Sequence, residues 1–163
     1  MSTDAATLRN IVVANHILAN EEVVDAFGHI SFRHPEDPEK YLLSRARAPE
    51  LIEADDIVTY RLDGEAINAG DRRPYSERMI HGAIYEQRPD VNVVIHNHSY
   101  EVIPFASTGT PLRPVTHTCA PIGGNIPVWD MRDKFGENNH LVVTMESRAV
   151  TWRLHSAKAQ SPL

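Results

Sequence analysis

The sequence predicts a domain that mixes helices with short strands, either α+β or a three-layer α/β/α arrangement. Three observations carry this. Thr7 to Asn20 places Leu8, Ile11, Val12, Asn15, Ile17 and Leu18 on one broad stripe at near-helical spacing. Short alternating or aliphatic runs then recur between proline, glycine and aspartate turn signals. No steady strand–helix–strand rhythm, internal repeat or heptad pattern appears.

In chain order, Ser2 to Asp4 offers N-caps for the first helix. Asp25 to Gly28 is a turn, and His29 to Arg33 alternates as a strand. His34 to Lys40, with two prolines, is a loop or hairpin tip, and Tyr41 to Ser44 is the next strand. Ala48-Pro49-Glu50 breaks the chain before a strand at Ile57 to Leu62. Asp63-Gly64 then turns it into a short pairing segment, Glu65 to Asn68. A second helix spans Ser76 to Gln87, with Ser76 as its N-cap, and Arg88-Pro89-Asp90 stops it. Val91 to His98 reads as a buried strand because Val93, Val94 and Ile95 are consecutive aliphatics. Tyr100 to Ala106 is a helix limited by Pro104, Thr108 to Pro114 a loop, and Val128 lies in a short strand.

The chain has 163 residues, 42% hydrophobic and 23% charged, enough for one domain with a core. A net charge of −6 argues against a general nucleic-acid binder, although Arg45 and Arg47 could form a local basic patch. No apolar run approaches the roughly 18 residues of a membrane span, and MSTDAATLRN lacks a secretion pattern. One cysteine, Cys119, cannot form an internal disulfide and is read as a small core residue. These features fit the cytoplasm.

The chemistry concentrates where the Val91–His98 strand ends in His96-Asn97-His98. Side chains alternate along a strand, so both imidazoles point the same way and can meet one divalent transition ion. The plain alternative is two polar residues where a strand leaves the core. Glu77, at the start of the preceding helix, is a candidate general acid/base. Its plain alternative is a first-turn glutamate favouring the helix dipole.

An ordered set of segments makes the chain recognisable: Gly28-His29-Ile30-Ser31, Leu43-Ser44-Arg45, Asp55-Asp56-Ile57-Val58, Leu62-Asp63-Gly64, Ser76-Glu77 with Met79 and His81, Ile84 to Val91, then His96-Asn97-His98. Together they resemble the class II aldolase/adducin family over roughly residues 8 to 143. The resemblance implies an α/β/α domain around a mostly antiparallel sheet and a homotetramer with sites near subunit contacts. It implies that His96 and His98 ligate one divalent metal, zinc first, with manganese, cobalt or iron open. It makes Glu77 the catalytic carboxylate. His29, Ser31, Ser44, Arg45 and Ser76 fall to substrate binding.

Arg45 stands where the sugar-phosphate aldolases typically have a small residue, and a guanidinium suits a planar carboxylate. Ile103-Pro104-Phe105, Thr110 to Val115 and His117 look like a decarboxylase branch that acts on hydroxy-carboxy-muconic-semialdehyde-type ring-cleavage products or dihydroxy-aromatic acids. His117 would be a second catalytic pocket histidine. The expected partner is a small-molecule carboxylate. Class II aldol cleavage is the close alternative. A non-catalytic adducin-like module is another, and a dehydrogenase finds no glycine-rich fingerprint.

The family's third metal histidine lies in a downstream Gly-His-Gly stretch that is missing here, and His155 sits in the wrong setting to replace it. The expected family domain is therefore residues 1–144, incomplete at its C-terminus, with 145–163 a disordered or out-of-frame tail. Synonymous codons for Met145 to Leu163 can be chosen so that a shifted frame reads GEPGRDLAAALGKGPVALM, which resembles the missing helix and strand. On that reading the chain has low or no activity and a tendency to aggregate.

Overall fold

In the computed structural model, residues 3–123 and positions 126, 128, 130, 132 and 136 are described. The Asp4 carboxylate accepts from the Ala6 and Thr7 amides and starts helix α1, Ala5–Asn20, two residues earlier than the apolar stripe indicates. Strands β1 (His29–Arg33), β2 (Lys40–Ser44) and β3 (Ile57–Arg61) follow, with 3-10 turns at Pro49–Leu51 and Ala54–Asp56. Helix α2 is Arg78–Gln87, β4 is Val93–His96 and α3 is Ile103–Thr108. A further 3-10 turn, His117–Ile122, closes the described segment.

The sheet has the order β3-β2-β1-β4, and every pairing is antiparallel. Glu65 to Asn68 adds only a bridge, Tyr60 to Ala66. Alternation splits the sheet into two apolar faces. Tyr41, Leu43, Val58, Tyr60 and Val94 pack with Tyr85 of α2, while Leu42 and Ile57 pack with Ile11 of α1 and with Ile52. The expected three layers follow, with α1 on one face and α2 on the other.

Several boundaries differ from the sequence reading. Helix α2 begins two residues late: Glu77, not Ser76, occupies its N-cap position, without a side-chain cap bond. The fourth strand is half the expected length. Val94 is buried, but Val93 and Ile95 are 43% and 46% exposed, because β4 is the edge of the described sheet. Cys119 is half-buried rather than core, with its sulfur accepting from Thr116 Oγ1. Val128 lies in no strand, and residues 145–163 are outside the described residues. Among the described residues no helix is long and apolar enough to cross a membrane.

Candidate metal centre and adjoining cavity

The register of β1 against β4 sets His29 directly opposite His96, with the two rings stacked at 4.8 Å. His29 and Ser31 lie on the face that α2 covers. Glu77, where α2 begins, brings Oε2 to 3.3 Å from His96 Nε2. That hydrogen bond is the largest influence on Glu77 and, with the nearby imidazoles, holds its carboxyl below the ordinary value against the opposing effect of burial.

His98 lies beyond the end of β4, so strand alternation does not place it. Two tethers to the turn before β1 do. Asn97 Nδ2 donates to the Val23 carbonyl (2.9 Å), and His98 Nδ1 meets the Asp25 carboxylate at 3.2 Å. Asp25 is itself fixed by the Phe27 and Gly28 amides. Burial acts to raise its pKa, but these donors and His98 outweigh it and lower the value. Gly28 permits the close approach, since a Cβ there would stand 2.6 Å from Val24 Cβ and 3.1 Å from the His96 carbonyl.

With Nδ1–H donated to Asp25, His98 presents its Nε2 lone pair, 3.2 Å from His96 Nε2. Two imidazoles sharing one tetrahedral ion at bond lengths of about 2.0–2.1 Å stand roughly 3.3 Å apart. A carboxylate buttressing a ligating imidazole is also the usual outer-shell arrangement. The donor set therefore fits a divalent transition ion. Ligand atoms of His29, Glu77 and His96 also lie within 4.8 Å of one another.

His29 is 1% exposed, and its Nε2 has no partner among the described residues. Its Nδ1 meets His81 Nε2 at 2.7 Å. His81 Nδ1 meets Ser31 Oγ at 2.6 Å, and Ser31 Oγ meets the Tyr85 hydroxyl at 2.8 Å. Burial first, then the neighbouring imidazoles, pushes His29 down to about 2. Burial likewise pushes His81 down to about 3, so both rings are neutral.

Beside Glu77 opens a cavity of about 470 Å³, walled by Phe27, Arg47, Arg73, Tyr75 and Ser76. The Tyr75 ring packs on His29 at 4.3 Å, and the wholly buried Ser44 has its hydroxyl beside Tyr75. Arg45 is held elsewhere: its Nε donates to Asp56, as does Arg47 Nη1 at 2.8 Å. His117 is exposed on its 3-10 turn and makes no hydrogen bond or ion pair with the cluster among the described residues. So the fold gathers His29, Ser31, Glu77, His96 and His98, sets Ser76 at the cavity, and does not bring in Arg45 or His117.

Sequence reasoning gave no role to Asp25, His81 or Tyr85. His81 and Tyr85 had a signal, since they fall four and eight residues after Glu77, on the same helical face. Asp25 had none, because its partner is fixed only by tertiary structure.

The model of the family "Class II Aldolase and Adducin N-terminal domain" matches residues 9–158. The decarboxylase tropJ of Talaromyces stipitatus is 36% identical over 134 residues, covering 81% of this chain and 50% of that protein. The 3,4-dihydroxyphthalate decarboxylase of Arthrobacter keyseri is 34% identical over 123 residues, covering 69% of this chain and 48% of that protein. Among solved structures, the L-fuculose 1-phosphate aldolase of Glaciozyma antarctica superimposes with a TM-score of 0.60 at 30% identity, over 67% of this chain and 46% of that one. The chain spans about half the length of the curated relatives it matches.

Proposed function

The chain belongs to the class II aldolase and adducin N-terminal domain family, and from that premise we propose that it serves a divalent-metal-dependent lyase that decarboxylates a hydroxy-carboxy aromatic or ring-cleavage acid. One observation carries the reading: the Glu77 carboxylate and the Nε2 atoms of His96 and His98 converge beside a cavity lined by Arg47, Arg73 and two aromatic rings. His96 and His98 would hold the ion, zinc first. That ion would supply Lewis-acid stabilisation of the negative charge left as a carbon–carbon bond breaks.

The rest of the work falls to the chain's own groups. Phe27 and Tyr75 offer flat apolar walls for a ring. Arg73 lines the cavity beside Arg47, whose guanidinium is shared with Asp56, and a carboxylate would dock on this pair. Arg45, the residue the sequence nominates for that task, has its Nε committed to Asp56. Glu77, half-buried at the cavity edge and held ionised, would take the proton of the acid's hydroxyl group and return it to the carbon that loses the carboxylate. It is better placed for this than His117, which stands exposed on its 3-10 turn. A homotetrameric assembly accompanies the reading and rests on the family resemblance alone, and a cytoplasmic location rests on the sequence features described above.

The test is carbon dioxide release from a panel of hydroxy-carboxy aromatic acids, using the purified chain with added divalent metal, against Glu77→Gln. Low, metal-dependent turnover in the wild type, in line with the impaired activity expected from the sequence, and its loss in the variant are expected. Equal turnover would remove Glu77 from the mechanism. Aldol cleavage is the second reading, favoured by the likeness to the Glaciozyma antarctica aldolase. Aldehyde formation without carbon dioxide would select it. Purification without stoichiometric transition metal would point instead to a non-catalytic module.

A further inference from the structure

We propose that Tyr85, Ser31 and His81 are positioning residues that fix His29 in the tautomer with its proton on Nε2, so that a neutral N–H donor, not a metal-binding lone pair, faces the cluster. All four groups are at most 1% exposed, so each proton on the path must be accounted for within the protein. The phenol O–H of Tyr85 has one side-chain partner, Ser31 Oγ at 2.8 Å, and so donates to it. The Ser31 hydroxyl then donates its own proton to the remaining partner, His81 Nδ1. His81, accepting on Nδ1, carries its proton on Nε2 and donates to His29 Nδ1. His29, accepting on Nδ1, must be protonated on Nε2. Run in the opposite sense, the same chain leaves the buried phenol proton without an acceptor.

This resolves an ambiguity in the cluster. The ring atoms of His29 lie close enough to Glu77 and His96 to complete a three-ligand set, but a protonated Nε2 cannot ligate. His98, with its Nδ1 on Asp25, has the opposite tautomer and does present a lone pair. His98 thus offers a lone pair as it stands, and His96, whose Nε2 meets both the Glu77 carboxylate and His98 Nε2, completes the pair for the ion once it gives up the proton it shares with them. The His29 Nε2–H is buried and has no partner among the described residues, so it would donate to an oxygen of the bound acid when the Tyr75 ring, which packs on His29 and lines the cavity, gives way. This last step rests on the function proposed above, whereas the tautomer does not.

Long-range ¹H–¹⁵N spectra of the zinc-loaded chain read the tautomer directly. The expected result is a pyrrole-type Nε2 and a pyridine-type Nδ1 for His29, with the reverse for His98. In Tyr85→Phe the terminal proton donor is lost, and the His29 signals should shift toward a mixture or the other tautomer. Ser31→Ala should have the same effect, and a merely structural role would not predict it. A pyridine-type Nε2 on wild-type His29, or its tautomer unchanged in a folded Tyr85→Phe variant, overturns the inference. The wild-type spectrum decides even if a variant fails to fold. The expected tautomer without carbon–carbon cleavage of any acid would leave this chain of bonds standing and sink only the proposed reaction.

Discussion

Replacing Gly82 by alanine sets two opposing effects against each other. Gly82 lies inside α2, next to His81, and its backbone angles suit any residue. On propensity alone the change should stabilise the helix by about 1 kcal/mol. However, a Cβ at this position would stand 2.1 Å from the Leu62 carbonyl oxygen and 3.0 Å from its carbon. An acceptable carbon-to-oxygen approach is roughly 3.3 Å, so the overlap exceeds an ångström. Leu62 leaves β3 in a turn closed by the Gly64 amide on the Arg61 carbonyl, so α2 has to move away from the sheet instead. Overpacking against backbone falls at the upper end of a range of about 1–3 kcal/mol, leaving a net loss of ~2 kcal/mol. For a chain of this size that is a fall in Tm of roughly 4–8 °C. Thermal and urea denaturation followed by circular dichroism would measure it. A Tm equal to or above the wild type's would show that α2 does not sit as tightly on the Leu62 carbonyl as described.

Three further outcomes follow from the geometry. Asp25→Asn should weaken divalent-metal binding by about 10–100-fold while sparing the fold, because it changes the group that orients His98; competition with a chelating dye measures it. Removing the metal with a chelator should lower the Tm of the wild type, by an amount equivalent to about 2.7 kcal/mol if the ion had been present at a hundred times its Kd, but leave His98→Ala unchanged. Asp56→Asn should cost about 1–3 kcal/mol at neutral pH, through the bonds from Arg45, Arg47 and the Glu53 amide. Burial acts to raise the Asp56 pKa, but those bonds outweigh it and hold the carboxyl below its ordinary value of 3.8. The stability it contributes is thus present above that value and lost as pH falls through the lower folded one. Denaturation of both proteins across the acid range should show the difference closing there.

Much of this fold is legible where the cause is local. The α1 stripe, the alternation in β1 and the proline and glycine breaks each act within a few residues, and each element appears near its expected place. Boundaries fail where tertiary forces decide. Glu77 takes the N-cap position from Ser76 while its carboxylate is drawn to His96. Val93 and Ile95 read as buried, but burial depends on what lies over an edge strand. The histidine pair was legible for a reason only half right: alternation aims His96, whereas the Asp25 and Val23 tethers aim His98. The Tyr85–Ser31–His81–His29 path crosses from α2 to β1, and no local spacing encodes it.

The pairing of His29 with His96 also has a bearing on time. β1 and β4 are separated in sequence by β2, β3 and α2, and pairing across so long a loop is intrinsically slow. His98 takes its orientation from Asp25, in the turn before β1, so a chain in which these strands have not yet paired holds His96 and His98 without that buttress. A one-residue slip between these strands would turn His96 to the opposite side of the sheet. An ion captured at the end would therefore act as a proofreader, retaining only molecules whose strands have found the correct alignment.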